Sequence, residues 1–338
     1  MSRVIHRFGI GVLICALAVG ALSLPGRAQP AGTAWKVRVG ADTPDHALQG
    51  QDFYPRSITI NAGDSITWTK NVVIEHTVTF LSGATPPPPF LPQPDHRVLV
   101  NPLVAFPQGG ASYDGTGMAS SGTIEAAGKS YTLTFTKPGR YNYLCLLHPG
   151  MQGTVLVQAV GKAPMTQAQV DKAGSDQWAA SLAAGRKVVA GWKVSQARSS
   201  SGTVYTAPIV GSAPAHISVL RFTPAPLRVK AGSTVTWTMT DPFEIHTVTF
   251  QGPGVVPQFL LLEQAAQGPP KIWVNPKILA PAGGPAHTGN AYYNSGIILP
   301  VNPPGPTSYT LKFTKPGTYT YWCVVHVPEG MRGSIIVQ

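Results

Sequence analysis

Two long stretches of this chain nearly spell each other out. AGDSITWT at 62–69 returns as AGSTVTWT at 231–238, and HTVTF at 76–80 returns unchanged at 246–250. YTLTFTKPGRYNYLC at 131–145 is matched by YTLKFTKPGTYTYWC at 309–323, and both copies finish with Met-x-Gly and a β-branched run. The intervening segments correspond too: Asn101-Pro102 with Asn275-Pro276, Gly109-Gly110 with Gly283-Gly284, Ser121-Gly122 with Ser295-Gly296. A duplicated unit must fold twice, so one architecture has to serve both copies.

Period-two alternation says what that architecture is. Ile58/Ile60 and Ile66/Trp68 flank an Ala-Gly-Asp turn, then come Val78/Phe80, Tyr131/Leu133/Phe135 and, after Lys-Pro-Gly, Tyr141/Tyr143/Cys145. Each set falls on one face of a strand and reads as the inner face of a sandwich. With 36 Gly, 33 Pro and only 12% charged residues, the 338-residue chain suits short strands and many turns and excludes a coiled coil. The expectation is an all-β protein: two tandem antiparallel β-sandwiches, at 29–160 and 203–338. The segment 161–202 between them holds an Ala-rich stretch, 166–190, with Val170, Trp178 and Leu182 at helical spacing, followed by a polar Ser-rich run. That helix either docks on a domain through Trp178 or acts as a spacer. Long Pro/Gly-rich insertions, 83–122 and 252–296, carry no clear periodicity and are expected to shape a surface near the functional site.

Residues 1–28 read as a signal peptide: Arg3 and Arg7, an apolar run from Phe8 to Leu24, then Gly26-Arg27-Ala28. Export to a periplasmic or extracellular space follows, with an uncleaved anchor as the one route to membrane association. Cys15 lies inside the apolar run after Ile14, where a lipoprotein signal needs a small residue. Lys and Arg total 25 against 14 acids, but no basic run has the density of a nucleic-acid face.

Cys145 and Cys323 stand at equivalent points of the repeat, which separates them and argues against a disulfide. Each opens a short ligand-rich loop: CLLHPGM supplies Cys145, His148 and Met151, and CVVHVPEGM supplies Cys323, His326 and Met331. With His76 or His246 upstream, each copy offers two His, one Cys and one Met. Two imidazoles, a thiolate and a weak thioether are the donors of a blue-copper electron-transfer centre, whereas structural zinc prefers four Cys/His ligands.

Both copies resemble the cupredoxin family, being similar to plastocyanin, amicyanin and pseudoazurin over nearly all of the chain beyond the signal except the central helix. The Cys-x₂-His-x₂-Met spacing of the first copy resembles amicyanin, and the Cys-x₂-His-x₄-Met of the second resembles plastocyanin and pseudoazurin. The resemblance implies a Greek-key sandwich with a type 1 copper at one end, held by His76, Cys145, His148 and Met151 in the first copy and by His246, Cys323, His326 and Met331 in the second. It also implies protein redox partners, and electron entry at the exposed edge of His148 or His326. The small carriers usually have Asn after the upstream His, where this chain has Thr77 and Thr247. Hydrogen bonding around the thiolate is therefore the open point.

Tandem cupredoxin domains also build multicopper oxidases and copper nitrite reductases, which need further copper. The oxidases bind it with His-x-His pairs and flank the type 1 Cys with histidines. No His-x-His occurs here, and the cysteines are flanked by Leu144/Leu146 and Trp322/Val324. The remaining histidines outside the signal, His46, His96, His216 and His287, read as solvated loop residues. The expected function is thus an exported, non-enzymatic carrier cycling two type 1 coppers between redox partners. A copper storage or delivery module is the alternative.

Overall fold

A computed structural model describes residues 32–200, 202–300 and 305–338. The expected signal, 1–28, lies outside the described residues. Each repeat forms a two-sheet β-sandwich. In the first half, Leu48–Tyr54, Ala34–Asp42, Ser65–Lys70, Ser130–Phe135 and Ser112–Tyr113 lie side by side in that order. They face a sheet ordered Ser57–Asn61, Gln152–Gln158, Gly139–Leu144, Thr79–Phe80, Ala119–Ser120. The second half repeats this with Gly202–Ile209, Thr234–Met239 and Ser308–Phe313 against Leu227–Val229, Arg332–Val337, Gly317–Trp322 and Thr249–Phe250.

The sheets are mixed, not antiparallel as expected. Ala34–Asp42 runs parallel to Ser65–Lys70, and Ser57–Asn61 parallel to Gln152–Gln158. These neighbours are not joined by hairpins, so nothing forces them to run in opposite directions.

The alternating residues meet where expected. Trp68 is fully buried among Phe80, Phe135 and Tyr143, and its indole N–H donates to the Tyr143 hydroxyl at 3.2 Å. Trp237 repeats the arrangement with Tyr321, also at 3.2 Å. A buried indole needs a partner for its one polar atom, and each copy supplies it with the same Tyr. Truncating either Trp would cost about 3–5 kcal/mol.

The halves share strands. Ile217–Val219 from the second copy pairs antiparallel with Leu48–Tyr54 of the first, with Ile217 opposite Gly50, and Gly211–Ser212 pairs beyond it, so the first half's five strands become a sheet of seven. Helix Gln167–Gly191 lies across this junction and makes its contacts with these strands, so it docks. It starts at a capping box between Thr166 and Gln169, and it buries Val170, Gly174, Ser181 and Gly185 along one stripe. Small residues on that stripe permit close approach: a Cβ on Gly174 would sit 2.8 Å from the Tyr54 carbonyl, and one on Gly185 2.9 Å from Ile217. Trp178 meets Tyr54 edge-on at 5.9 Å. The insertions also meet. Phe90–Pro92 and Val98–Val100 from the first join Leu260–Glu263 and Lys271–Val274 from the second in a four-stranded sheet, with Arg97 stacked over Trp273 at 3.9 Å. Strands of three or four residues hemmed by Pro are too short to show alternation, which is why these stretches read as loops. Among the described residues no helix is long and apolar enough to cross a membrane.

Candidate metal centres

In each half the end of a central strand, a tight loop and an upstream His converge. His76 precedes strand Thr79–Phe80, where its carbonyl accepts from the Ile124 N–H at 2.8 Å. Cys145 follows directly on strand Gly139–Leu144, and the loop beyond it closes on itself. The Cys145 N–H donates to the Met151 carbonyl at 3.0 Å, and the Met151 N–H donates to the His148 carbonyl at 3.2 Å. This turn brings His148 back to the thiol. Cys145 Sγ lies 3.9 Å from His76 Nδ1 and 3.4 Å from His148 Nδ1. In the second half Cys323 Sγ lies 3.6 Å from His246 Nδ1 and 3.3 Å from His326 Nδ1. The loop, two residues longer, is closed by the equivalent bonds from Cys323 to Met331 and from Met331 to His326, both 3.0 Å. In each set the His, Cys and His ligand atoms lie within 4.8 Å of one another, and all are buried. Met151 and Met331 are fully buried and belong to the same apolar clusters as their cysteines. Both cysteines are free thiols.

The thiols are set up as anions. Burial opposes ionising Cys145, yet His148 and His76 hold it well below the ordinary thiol range; His326 and His246 do the same for Cys323. A deprotonated thiol between two Nδ1 atoms is the form a soft, redox-active metal requires. The donor sets therefore fit copper. The Asn-to-Thr departure is also explained. The Thr77 N–H donates to Cys145 Sγ at 3.3 Å, while Thr77 Oγ1 accepts from the Leu146 N–H at 2.7 Å. Thr247 makes the same pair, at 3.4 Å to Cys323 Sγ and 2.8 Å from the Val324 N–H. A hydroxyl thus ties the His strand to the Cys strand, and the backbone amide beside it bonds the sulfur.

Two expectations fail. His148 and His326 do not present exposed edges: they are 4% and 1% exposed, and the Nε2 atoms of both face one carboxylate of the second half. Between them stands Glu244, itself 5% exposed, with Oε1 3.0 Å from His148 Nε2 and Oε2 3.4 Å from His326 Nε2. Burial disfavours the charged carboxylate, but the two imidazoles hold Glu244 well below its usual range. The strand shared from the second copy and the insertion sheet bring the two ends together, and this removes the edges from solvent. His287 is not solvated either. It is buried against Phe250, Tyr293, Phe313 and Tyr319, and burial lowers its pKa to about 4.

Three functional candidates escaped the sequence reading. Glu244 is one. Lys70 is another, buried with its ammonium donating to the carbonyls of Val73, Ile74 and Glu125 at 2.8, 2.9 and 2.8 Å. Asp241 is the third, its carboxylate 3.7 Å from His246 Nε2. All lie between the buried Trp and the upstream His, a span in which the two copies differ in length by one residue. That mismatch was the only signal available.

A β-sandwich carrying a buried Cys between two His Nδ1 atoms at one end is the architecture of a copper-binding cupredoxin, and here it occurs twice. The model for copper-binding proteins of the plastocyanin/azurin family matches residues 41–158 and 211–338, and the chain belongs to that family. It is 30% identical over 160 residues to the chloroplastic plastocyanin of Tetradesmus obliquus, covering 47% of this chain and 83% of the relative. It is also 30% identical over 144 residues to amicyanin-alpha of Methylorubrum extorquens, covering 42% and 86%. A solved structure of a Cu(I) amicyanin variant aligns over 37% of this chain and 82% of its own, at 20% identity and a TM-score of 0.24.

Proposed function

We propose that the protein is an exported electron carrier with two type 1 copper centres, one held by His76, Cys145, His148 and Met151 and the other by His246, Cys323, His326 and Met331. The observation that carries this reading is the doubled pocket, in which a buried thiol kept as thiolate lies between two Nδ1 atoms and receives a backbone N–H. Copper, when bound, supplies a one-electron couple. The chain's own part is to keep the donors fixed through a change of oxidation state. Loop closure from Cys to Met and the Thr tie between strands restrain each donor from two sides, and burial excludes water. Little rearrangement on gain or loss of an electron means a low barrier to its transfer.

Electrons would come from and go to protein redox partners. Burial of both donor sets weighs against copper delivery, which needs a site an acceptor can reach. The cysteines' neighbours Leu144, Leu146, Trp322 and Val324 offer no ligand toward a further metal, so an oxidase is the weaker reading.

The test is copper content per chain together with the visible spectrum of the signal-free protein, before and after ascorbate. Two coppers and an intense thiolate-to-copper absorption that bleaches reversibly are expected. Protein left colourless after copper loading would overturn the proposal.

A further inference from the structure

Glu244 stands between the two candidate centres, its carboxylate within 3.0 Å of His148 Nε2 and 3.4 Å of His326 Nε2. Its carboxylate is clamped from both halves: Oε1 takes His148 Nε2 at 3.0 Å and the Gln51 amide N–H at 2.7 Å, and Oε2 faces His326 Nε2 at 3.4 Å. Because Nδ1 of each ring is turned to its own cysteine sulfur, the Nε2 protons are the ones left to donate. His148, Glu244 and His326 then form a file of buried side chains from one donor set to the other. The first copy has Ile74, also buried, where the second has Glu244, so the carboxylate has no counterpart and one residue serves both centres. The loop holding it is fixed in turn, since Asp241 Oδ1 accepts from the Phe243 N–H at 2.9 Å and the Ser218 hydroxyl at 3.1 Å.

We infer that Glu244 is the conduit for electron exchange between the two centres, so that the protein works as one internally wired two-electron unit. This rests on the two-copper reading above. In each exchange one centre goes from Cu(I) to Cu(II) as the other goes from Cu(II) to Cu(I). No bond forms or breaks, and both imidazole protons stay on Nε2. The shared carboxylate shortens the path because the alternative is a gap between two rings that do not touch.

The experiment uses the full signal-free, copper-loaded protein. A sub-stoichiometric pulse of reductant places one electron per chain, and its redistribution between the two absorption bands is followed. Single-centre variants Cys145→Ser and Cys323→Ser assign the bands. In the wild type, redistribution is expected to be first order and independent of protein concentration. Because groups that hydrogen-bond metal-ligating histidines typically matter 10–100-fold, Glu244→Leu is expected to slow redistribution by about 10-fold or more with both coppers retained. Glu244→Gln conserves volume but turns an amide N–H toward one of the two rings, and it should give an intermediate rate. A second readout needs no turnover: in the fully reduced, diamagnetic protein the two imidazole Nε2–H protons should be slow to exchange, one becoming fast in Glu244→Gln and both in Glu244→Leu. Unchanged redistribution in both variants, or rapidly exchanging Nε2–H protons in the wild type, would overturn the inference. Absence of two thiolate-to-copper bands in the wild type would instead remove the two-copper reading beneath it.

Discussion

The loops that lead into His76 and His246 do the same job with opposite charges. In the first half Lys70 reaches beneath the loop and donates to three carbonyls, a task that needs all three protons of an ammonium. In the second half Met239 takes that place, and the loop is held by Asp241 through the amide of Phe243 and the Ser218 hydroxyl. The upstream imidazoles respond accordingly. Burial, with the like charge of His148 and Lys70, keeps His76 below its ordinary pKa, whereas for His246 the effect of burial is outweighed by Asp241 and Cys323 and the pKa rises. A duplicated scaffold thus holds two geometrically matched pockets in different fields. A nearby cation disfavours the more oxidised, more positive state of a metal, and a nearby anion favours it. The first centre should therefore have the higher reduction potential.

The largest effect expected comes from removing one thiol. Cys145→Ser or Cys323→Ser should abolish copper binding in its own half and leave the other half's absorption, read by metal analysis and visible spectroscopy. Next, Lys70→Met gives the first half the second half's residue. It strands three buried carbonyls and should destabilise the protein by on the order of 3 kcal/mol in denaturant titrations, because buried acceptors without donors carry their full desolvation cost. The same variant should lower the potential of the first centre and so narrow the difference between the two.

A smaller effect concerns His287, whose place in the first half is taken by Tyr113, as both pair with the Phe of the neighbouring strand. Its folded pKa of about 4 lies below its ordinary value, so the unfolded chain takes up the proton first. Stability is then complete above about pH 6.5 and erodes as pH falls toward 4. His287→Tyr should flatten that loss in thermal melts between those values; a melting temperature that falls equally in both proteins would refute the assignment. The smallest change is Asp241→Asn, which keeps the Oδ1 acceptor but removes the charge beside His246. Only the second centre's potential should rise, measured by redox titration of its assigned band.

Much of this was legible in the sequence because duplication exposes what each copy keeps. The inward sets around Trp68 and Trp237, the Cys-His-Met loops and the upstream histidines recur with their neighbours, and each lies where alternation and spacing put it. What was illegible depends on contacts between the copies. Ile217–Val219 is three residues, too short to show alternation, and it gains its place as a strand by pairing with Leu48–Tyr54 of the other copy and with Gly211–Ser212. Glu244 looks like any loop acid until the other half's His148 comes to meet it. The burial of His287 is equally non-local, set by four aromatic rings drawn from separate strands. Local pattern reports on the fold of one repeat and is silent about the joint.

That joint has a historical consequence. Every residue of strand Leu48–Tyr54 is buried, covered on its outer edge by a strand that belongs to the other copy. A descendant that lost its second repeat would bare this edge, an open template for unwanted pairing with other chains. The dependence runs one way, since among the described residues no strand of the first copy joins either sandwich sheet of the second, so loss of the second repeat would cost the first its cover while the second would keep its own sheets.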